Sequence, residues 1–396
     1  MKFLRKKLKN GMIVIMERRE LPVVSLAISN RFGAAYETSE IKGIAHVIEH
    51  MVFTGTKTRT HEDISREIEK KGGILNAFTG QNITSFWFKL PSEHVFSGLD
   101  ILRDMLNNPT FEREKFEKEK KVIIEEIKMY HDNPQRSVID NIEENLYGKP
   151  FGEGVAGSEK TVSALKRDFI ADYFKKAYNP ENYIATVVGN ADFSKICDYL
   201  EKSFRKTGKG VRVQKILKKN ADSVEERKGI DQAHFVLAFH APLASEKGFY
   251  ELEVLDAYLA NGMSSRLFLK IREEKGLAYA VKGFLDTEKY HSHYGIYVGT
   301  TNEAIPEVKK IILEEFKKVE NMDEKNLREA KERILGLRKI SIEESSNVMN
   351  ELTASELVTK AEDYYEHDKK IIAVSLEEVK KAAKIKNFST AAIVQK

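Results

Sequence analysis

Residues 65–90, SREIEKKGGILNAFTGQNITSFWFKL, decide the fold. A charged segment stops at Lys-Lys-Gly-Gly, as helices do. Two runs of alternating apolar and polar residues follow around a polar turn, the pattern of a β-hairpin. An amphipathic helix comes next, in HVFSGLDILRDMLNN (94–108). The same order returns about 200 residues later, a spacing that means two similar domains rather than a solenoid. There LKIREEKGLAYAVKGFLDTEKYHSHYGIYVGT (269–300) leads to IPEVKKIILEEFKKV (305–319). Helices that follow strand pairs predict an α+β fold of two similar domains. Each is a mostly antiparallel sheet with helices packed on one face.

A chain of 396 residues is long enough for two cores. Residues 206–229, KTGKGVRVQKILKKNADSVEERKG, are polar, hold three glycines and lack sustained periodicity, so they read as a linker. It parts an N-terminal domain, 1–205, from a C-terminal domain, 230–396. Apolar residues at 41% and charged residues at 32% fit a soluble globular protein with a solvated surface. No run approaches the roughly 18 apolar residues of a membrane span. The amino terminus, MKFLRKKLKNGMIVIMERRE, has no apolar stretch after its basic residues and does not read as a secretory signal. Cys197 is the single cysteine, which excludes an internal disulfide framework and a cysteine-based zinc site. Together these features point to the cytoplasm. A net charge of +4 with acids and bases interspersed shows no footprint for nucleic acid or an acidic membrane.

The segment GIAHVIEHMVF (43–53) is apolar between its polar positions, as a buried helix is. His46 and His50, four apart, point to one side of that helix and can meet one metal ion. Glu49 lies beside the same face, where it can hold a proton near the metal. H-x-x-E-H inverts the zincin H-E-x-x-H, and both are metallopeptidase signatures. Burying two histidines and a glutamate costs several kcal/mol unless all are paired. A catalytic zinc takes three protein ligands, so a third is sought in FEREKFEKEKKVIIEEIKMY (111–130). At about 100° per residue, Phe116, Ile123, Ile127 and Tyr130 share a core stripe, with Lys118, Lys121, Glu125 and Lys128 opposite. Glu126 and Glu119 sit at the edge of the stripe, where a carboxylate needs a partner. Glu126 is the better ligand candidate, and Glu119 suits a role bonding a ligand histidine or nearby backbone.

These residues resemble the pitrilysin/insulysin family of inverzincin peptidases, in its short-chain, mitochondrial-processing-peptidase-like branch. The resemblance runs through RFGAAYE, GIAHVIEHMVFTGT, GGILNAFTGQNITSFWFKLP, EKKVIIEEI and NGMSSRLFLKIREEKGLAYAV. The family's third ligand falls on Glu126, and the acid seven residues earlier on Glu119. The resemblance implies a zinc endopeptidase with one Zn2+ per chain held by His46, His50 and Glu126, and Glu49 as general base. In REEKGLAY, Arg272 and Tyr279 have the spacing of the family's pair that binds substrate backbone opposite the zinc. By themselves they read as helix-end and strand residues. ILNAFTG resembles the family's edge strand, which takes a peptide as an added strand, and Asn76 and Ala77 are its substrate-binding positions.

Family members twice this length close four such domains around a chamber. Two domains here therefore imply a homodimer with a shared active site, acting on oligopeptides or unfolded segments. Two alternatives stand beside this: a non-catalytic assembly subunit of the same fold, or a processing subunit with a non-identical partner. His291 and His293, in HSH, share a strand face and can in principle bind metal, but two ligands without a nearby carboxylate make a poor site, so they read as a polar strand face.

Overall fold

The computed structural model describes residues 2–205 and 210–396. The chain begins with strands β1 (Lys2–Lys7), β2 (Ile13–Arg18) and β3 (Val23–Asn30), then helices α1 (Ile44–Phe53) and α2 (His61–Glu69). The expected hairpin follows as β4 (Ile74–Thr79) and β5 (Thr84–Pro91), with α3 (Val95–Asn107), α4 (Arg113–Asp132) and α5 (Pro134–Leu146) after it. Helices α6 (Glu159–Ala164) and α7 (Arg167–Ala177) lead to β6 (Tyr183–Gly189) and α8 (Phe193–Ser203). The second half opens with β7 (Asp222–Arg227), β8 (Ala233–His240) and α9 (Phe249–Leu259). A π-helix, Phe268–Glu274, precedes the second expected hairpin, β9 (Ala278–Thr287) and β10 (Ser292–Thr300). Helices α10 (Ile305–Lys318), α11 (Glu324–Ser341), α12 (Ser345–Val358), α13 (His367–Ala373) and α14 (Leu376–Ala382) come before β11 (Ser389–Gln395).

Two sheets form, in the orders β1-β2-β6-β3-β5-β4 and β7-β11-β8-β10-β9. Without β1 the two follow one plan. A parallel pair, β2 with β6 or β7 with β11, is followed by antiparallel neighbours to the edge. The parallel pairs join strands far apart in sequence, as parallel pairing requires. The two hairpins also match in detail. Thr79 pairs with Thr84 and Thr287 with Ser292, so each turn spans four residues. In each, the first turn residue donates its N–H to the carbonyl of the last, at 2.8 Å (Gly80 to Ile83) and 3.0 Å (Glu288 to His291). The α+β class read from the sequence stands.

The compact units are not the two contiguous halves. One consists of residues 1–128, 154–215 and 341–364, the other of 129–153, 216–340 and 365–396. In the first, Ile13, Ile15, Ala27, Ile184 and Val188 on one sheet face meet Val348, Met349 and Leu352 of α12. On its other face, α3 lies so close that a Cβ at Gly98 would meet the Phe88 ring at 2.6 Å. In the second unit α5 covers one sheet face, where Asn145 Nδ2 donates to Thr390 O (2.9 Å) and Ser223 Oγ (2.7 Å). The opposite face, with Leu237, Ile296 and Val298, packs on Leu252 and Leu255 of α9 and Ile312 and Phe316 of α10. The expected domains, 1–205 and 230–396, thus trade one helix each. The cause is the buried second face of each sheet, which needs a cover of its own.

The linker also shortens. Of residues 206–229, the first four lie outside the described residues, and Asp222–Arg227 is the edge strand β7. Its sequence, DSVEER, alternates exposed and half-buried positions without the apolar alternation that betrays a strand, and Val224 points outward.

Candidate active site

α1 is a buried helix, as its sequence predicts: Ile44, Ala45, Val47, Ile48, Met51 and Val52 all lie in the core. Its start is fixed twice. Gly43 adopts φ 94°, where a Cβ would also collide with Ala156 O at 2.5 Å. The buried Glu37 carboxylate then accepts the backbone N–H groups of Gly43 (2.9 Å) and Ala45 (2.7 Å). An anion at a helix N-terminus answers both the orphan donors and the dipole. Lys42, also buried, sits 3.9 Å from the same carboxylate and donates to Ala34 O. Burial nevertheless raises the Glu37 pKa to about 7, against the pull of Lys42 and the two N–H groups.

On this helix His46 and His50 stand one turn apart, their rings 4.7 Å between centroids. Glu126 of α4 reaches both, its Oε2 lying 3.6 Å from His46 Nε2 and 3.3 Å from His50 Nε2. One donor atom from each of the three lies within 4.8 Å of the other two. The helical-face reading of α4 holds for most positions: Phe116 and Ile123 are buried, Lys118, Lys121, Glu125 and Lys128 exposed, and Glu119 and Glu126 between, but Ile127 and Tyr130, placed on the core stripe, are only half-buried. Glu125 pairs with Lys128 on the outer side. The turn before α4 is held by Arg167, which donates to Phe111 O and Thr110 O, with Phe111 in the left-handed region at φ 46°.

Glu119 faces His50, with Oε2 3.3 Å from Nδ1. Burial alone would push the His50 imidazole down, but Glu119's hydrogen bond and the nearby Glu49 and Glu126 outweigh it, and the net is upward. Glu49 accepts a short hydrogen bond from Thr79 Oγ1, at the end of β4. Burial raises the Glu49 carboxyl above the ordinary range, against the Thr79 bond and the His50 charge.

β4 is an edge strand with β5 as its one neighbour. Asn76 is exposed, Ala77 half-buried, and the Ala77 N–H donates to Asn76 Oδ1 at 2.8 Å. Leu75, Ala77 and Thr79 alternate to the more buried side, so the strand that offers its edge also offers the Thr79 hydroxyl to Glu49.

Arg272 and Tyr279 belong to the second unit. Arg272 lies in the π-helix, over the Phe268 ring at 4.9 Å and 3.7 Å from Glu273. Tyr279 is the extra residue of a β-bulge, since Ala278 pairs with Thr300 and Ala280 with Gly299. Bulges re-aim side chains, and Tyr279 is 44% exposed. Gly299 makes room for its ring, which a Cβ there would meet at 2.3 Å. Its hydroxyl is 3.2 Å from that of Tyr297, which is 2.8 Å from His234 Nδ1.

Four supporting residues escape sequence reading: Glu37, Thr79, Tyr297 and His234. Only Thr79 leaves a usable signal, the strand alternation that sets it on the side of Ala77.

Residues 13–159 match the insulinase family, peptidase family M16, and residues 164–334 match the peptidase M16 inactive domain. The chain is 32% identical over 379 residues to an uncharacterized zinc protease, YmxG, of Bacillus subtilis, covering 94% of this chain and 92% of that one. An uncharacterized zinc protease of Rickettsia felis is 32% identical over 330 residues, covering 82% and 80%. Among solved structures, a protease from Helicobacter pylori superposes with TM-score 0.92 at 21% identity, over 99% of both chains. A peptidase M16 inactive domain from Pseudomonas fluorescens gives 0.90 at 18% identity, over 100% of this chain and 99% of that one. At those identities the likeness to the two structures is one of fold. With family matches over both halves and a relative similar across nearly its whole length, the chain belongs to the insulinase family of peptidases, M16.

Proposed function

We propose that the chain is a zinc-dependent endopeptidase that cleaves oligopeptides or unfolded segments. The observation that supports it most is the convergence of His46, His50 and Glu126, with the half-buried Glu49 carboxyl on the same helix. The donors suit zinc, two imidazoles and a carboxylate without a thiol. Zinc held by these three residues supplies a Lewis acid for the scissile carbonyl and lowers the pKa of water beside it.

The rest falls to the chain's own side chains. Glu49 takes a proton from the attacking water and returns it to the leaving amine, and a carboxyl raised by burial serves both steps. Thr79 holds Glu49 Oε2 in place, and Glu119 fixes the His50 ring. The free edge of β4, at Asn76 and Ala77, takes the substrate as an added strand by main-chain bonds, which makes cleavage tolerant of sequence. Arg272 and Tyr279 grip the carbonyl and its developing charge. The working form is a homodimer around a chamber, with Arg272 and Tyr279 of one subunit serving the zinc residues of the other.

The test is metal content with cleavage of an unstructured peptide, for wild type and Glu49→Gln. Zinc retained in both, with turnover down at least ~10²-fold in the variant, is expected. A zinc-loaded wild type that cleaves nothing would turn the reading toward a non-catalytic assembly subunit. Mixing Glu49→Gln with Arg272→Ala chains should restore partial activity; no rescue would mean each chain is self-contained.

A further inference from the structure

A second group of metal-ligand side chains lies at the end of the β9–β10 hairpin, in the other unit. Sequence alone leaves His291 and His293 without a carboxylate, but the hairpin register supplies one: Asp286 stands directly across from His293. Asp286 Oδ1 is 3.3 Å from His291 Nε2, and Oδ2 is 3.9 Å from His293 Nε2. One donor atom from each of the three lies within 4.8 Å of the others. Ligand atoms about a tetrahedral zinc, each some 2.0–2.1 Å from it, are separated by roughly 3.3 Å. The group is therefore near the spacing of an ion's first ligands.

The two histidines are buried beside aromatic rings, while the Asp286 side chain is half exposed. His291 and His293 are 0% and 1% exposed. The Phe151 ring lies 4.9 Å from His291, and the Tyr147 ring 5.8 Å from His293. Tyr147 spends its hydroxyl on Ser292 O. Nδ1 of His291 and Nδ1 of His293 are both buried with no hydrogen-bond partner. One carboxylate thus faces the Nε2 atoms of two buried imidazoles and is within hydrogen-bond reach of only one of them, at 3.3 Å against 3.9 Å. Burying polar groups on such terms is costly.

The first unit shows what a purely structural solution looks like. At the matching places of its hairpin stand Phe78, Ile83 and Ser85, and Ser85 Oγ is satisfied by Ser29 Oγ at 2.8 Å across β3. None of the three is a metal ligand of the nitrogen or carboxylate type. The second unit has, on an otherwise matching hairpin, an Asp and two His.

We propose that Asp286, His291 and His293 form a second metal site, for a divalent ion of the zinc class. Two imidazoles and a carboxylate select zinc or a neighbouring transition ion over magnesium or calcium, which prefer oxygen. Beside Tyr147 and Phe151, the ion ties the hairpin end together as a structural centre.

The test uses the tag-free full chain, equilibrated with Zn2+ and analysed for bound metal. The decisive protein is the His46→Ala/His50→Ala variant, which disables the first site and leaves the hairpin native. It should bind one Zn2+ per chain and melt at higher temperature when Zn2+ is added. Adding Asp286→Asn should abolish both effects. A folded His46→Ala/His50→Ala chain that binds no Zn2+ overturns the proposal, as does binding that survives Asp286→Asn. Because that variant lacks the proposed catalytic ligands, the outcome does not depend on whether the chain is a peptidase.

Discussion

Helices α1 and α9 begin alike and end up as different things. Each starts after a left-handed glycine, Gly43 at φ 94° and Gly248 at φ 100°, and each follows the matching strand of its sheet. Counted from those glycines, His46, Glu49 and His50 of α1 correspond to Glu251, Val254 and Leu255 of α9. The hairpins beside them match too, and Thr79 corresponds to Thr287. Thr79 Oγ1 donates to Glu49, whereas Thr287 Oγ1 is buried with no partner. With valine in the place of the glutamate, that hydroxyl has nothing to serve. The scaffold is common to both units, and the chemistry rests on a few side chains with their supports.

The strongest way to break this comparison is to write α9 into α1. Glu49→Val with His50→Leu removes the base and a ligand together, and peptide cleavage should fall by ~10⁴-fold or more. The metal-free protein should be somewhat less stable than wild type, because His50 is lost while its partners Glu119 and Glu126 remain, and removing one member of a charged group destabilises where replacing the whole group does not. Cleavage assays and urea unfolding check both halves of the claim. Retained activity would show that the difference between the helices is not where the function lies.

Glu37 sharpens the comparison at the helix start. Its folded pKa of about 7 lies above the ordinary 4.5 of the free side chain. Between those values the folded state keeps a proton that the unfolded state has lost, so stability falls as pH rises from 4.5 to 7 and is level above. The fall is about 3 kcal/mol. Glu37→Gln does not titrate and should lack this component. Unfolding of both proteins at pH 5 and pH 8 isolates it, and equal pH slopes would falsify the assignment.

Next in size is Glu119. Glu119→Gln should weaken zinc binding by about 10–100-fold, the usual cost of losing a carboxylate behind a ligand histidine. Glu125→Gln, on the outer side of the same helix, should leave the affinity unchanged. Competition with a chelator measures both, and equal affinities would remove Glu119 from the site.

These side chains differ in how visibly the sequence carries them. Periodicity reports which way a residue faces, so the hairpins, the buried α1 and the split between Glu125 and Glu126 are legible without coordinates. Periodicity does not name the partner surface. An amphipathic segment such as α5 or α12 reads the same whichever sheet it covers, so the traded helices stay hidden. β7 escapes because its residues are polar on both sides. Glu37 is one acid among 61 and is brought to α1 by a short turn. Asp286 reaches His293 through strand register, which fixes neighbours that sequence distance conceals.

The smallest effect is expected at Thr79, and it tests the comparison most directly. Thr79→Val keeps the shape of the side chain and makes α1 face an apolar group, while Thr79→Ser keeps the hydroxyl. The hydrogen bond from Thr79 lowers the Glu49 pKa against the burial that raises it. Without it the carboxyl rises further, and a general base must be ionised to act. The acid limb of kcat/KM should therefore move to higher pH in Thr79→Val. It should stay near wild type in Thr79→Ser. Well above the limb, Thr79→Val should keep most of its activity, because Glu49 is ionised there with or without the bond. A limb that does not move in Thr79→Val would separate Glu49 from the base role, or Thr79 from Glu49. The full loss on Glu49→Gln tells these apart: with that loss present, only the link through Thr79 fails.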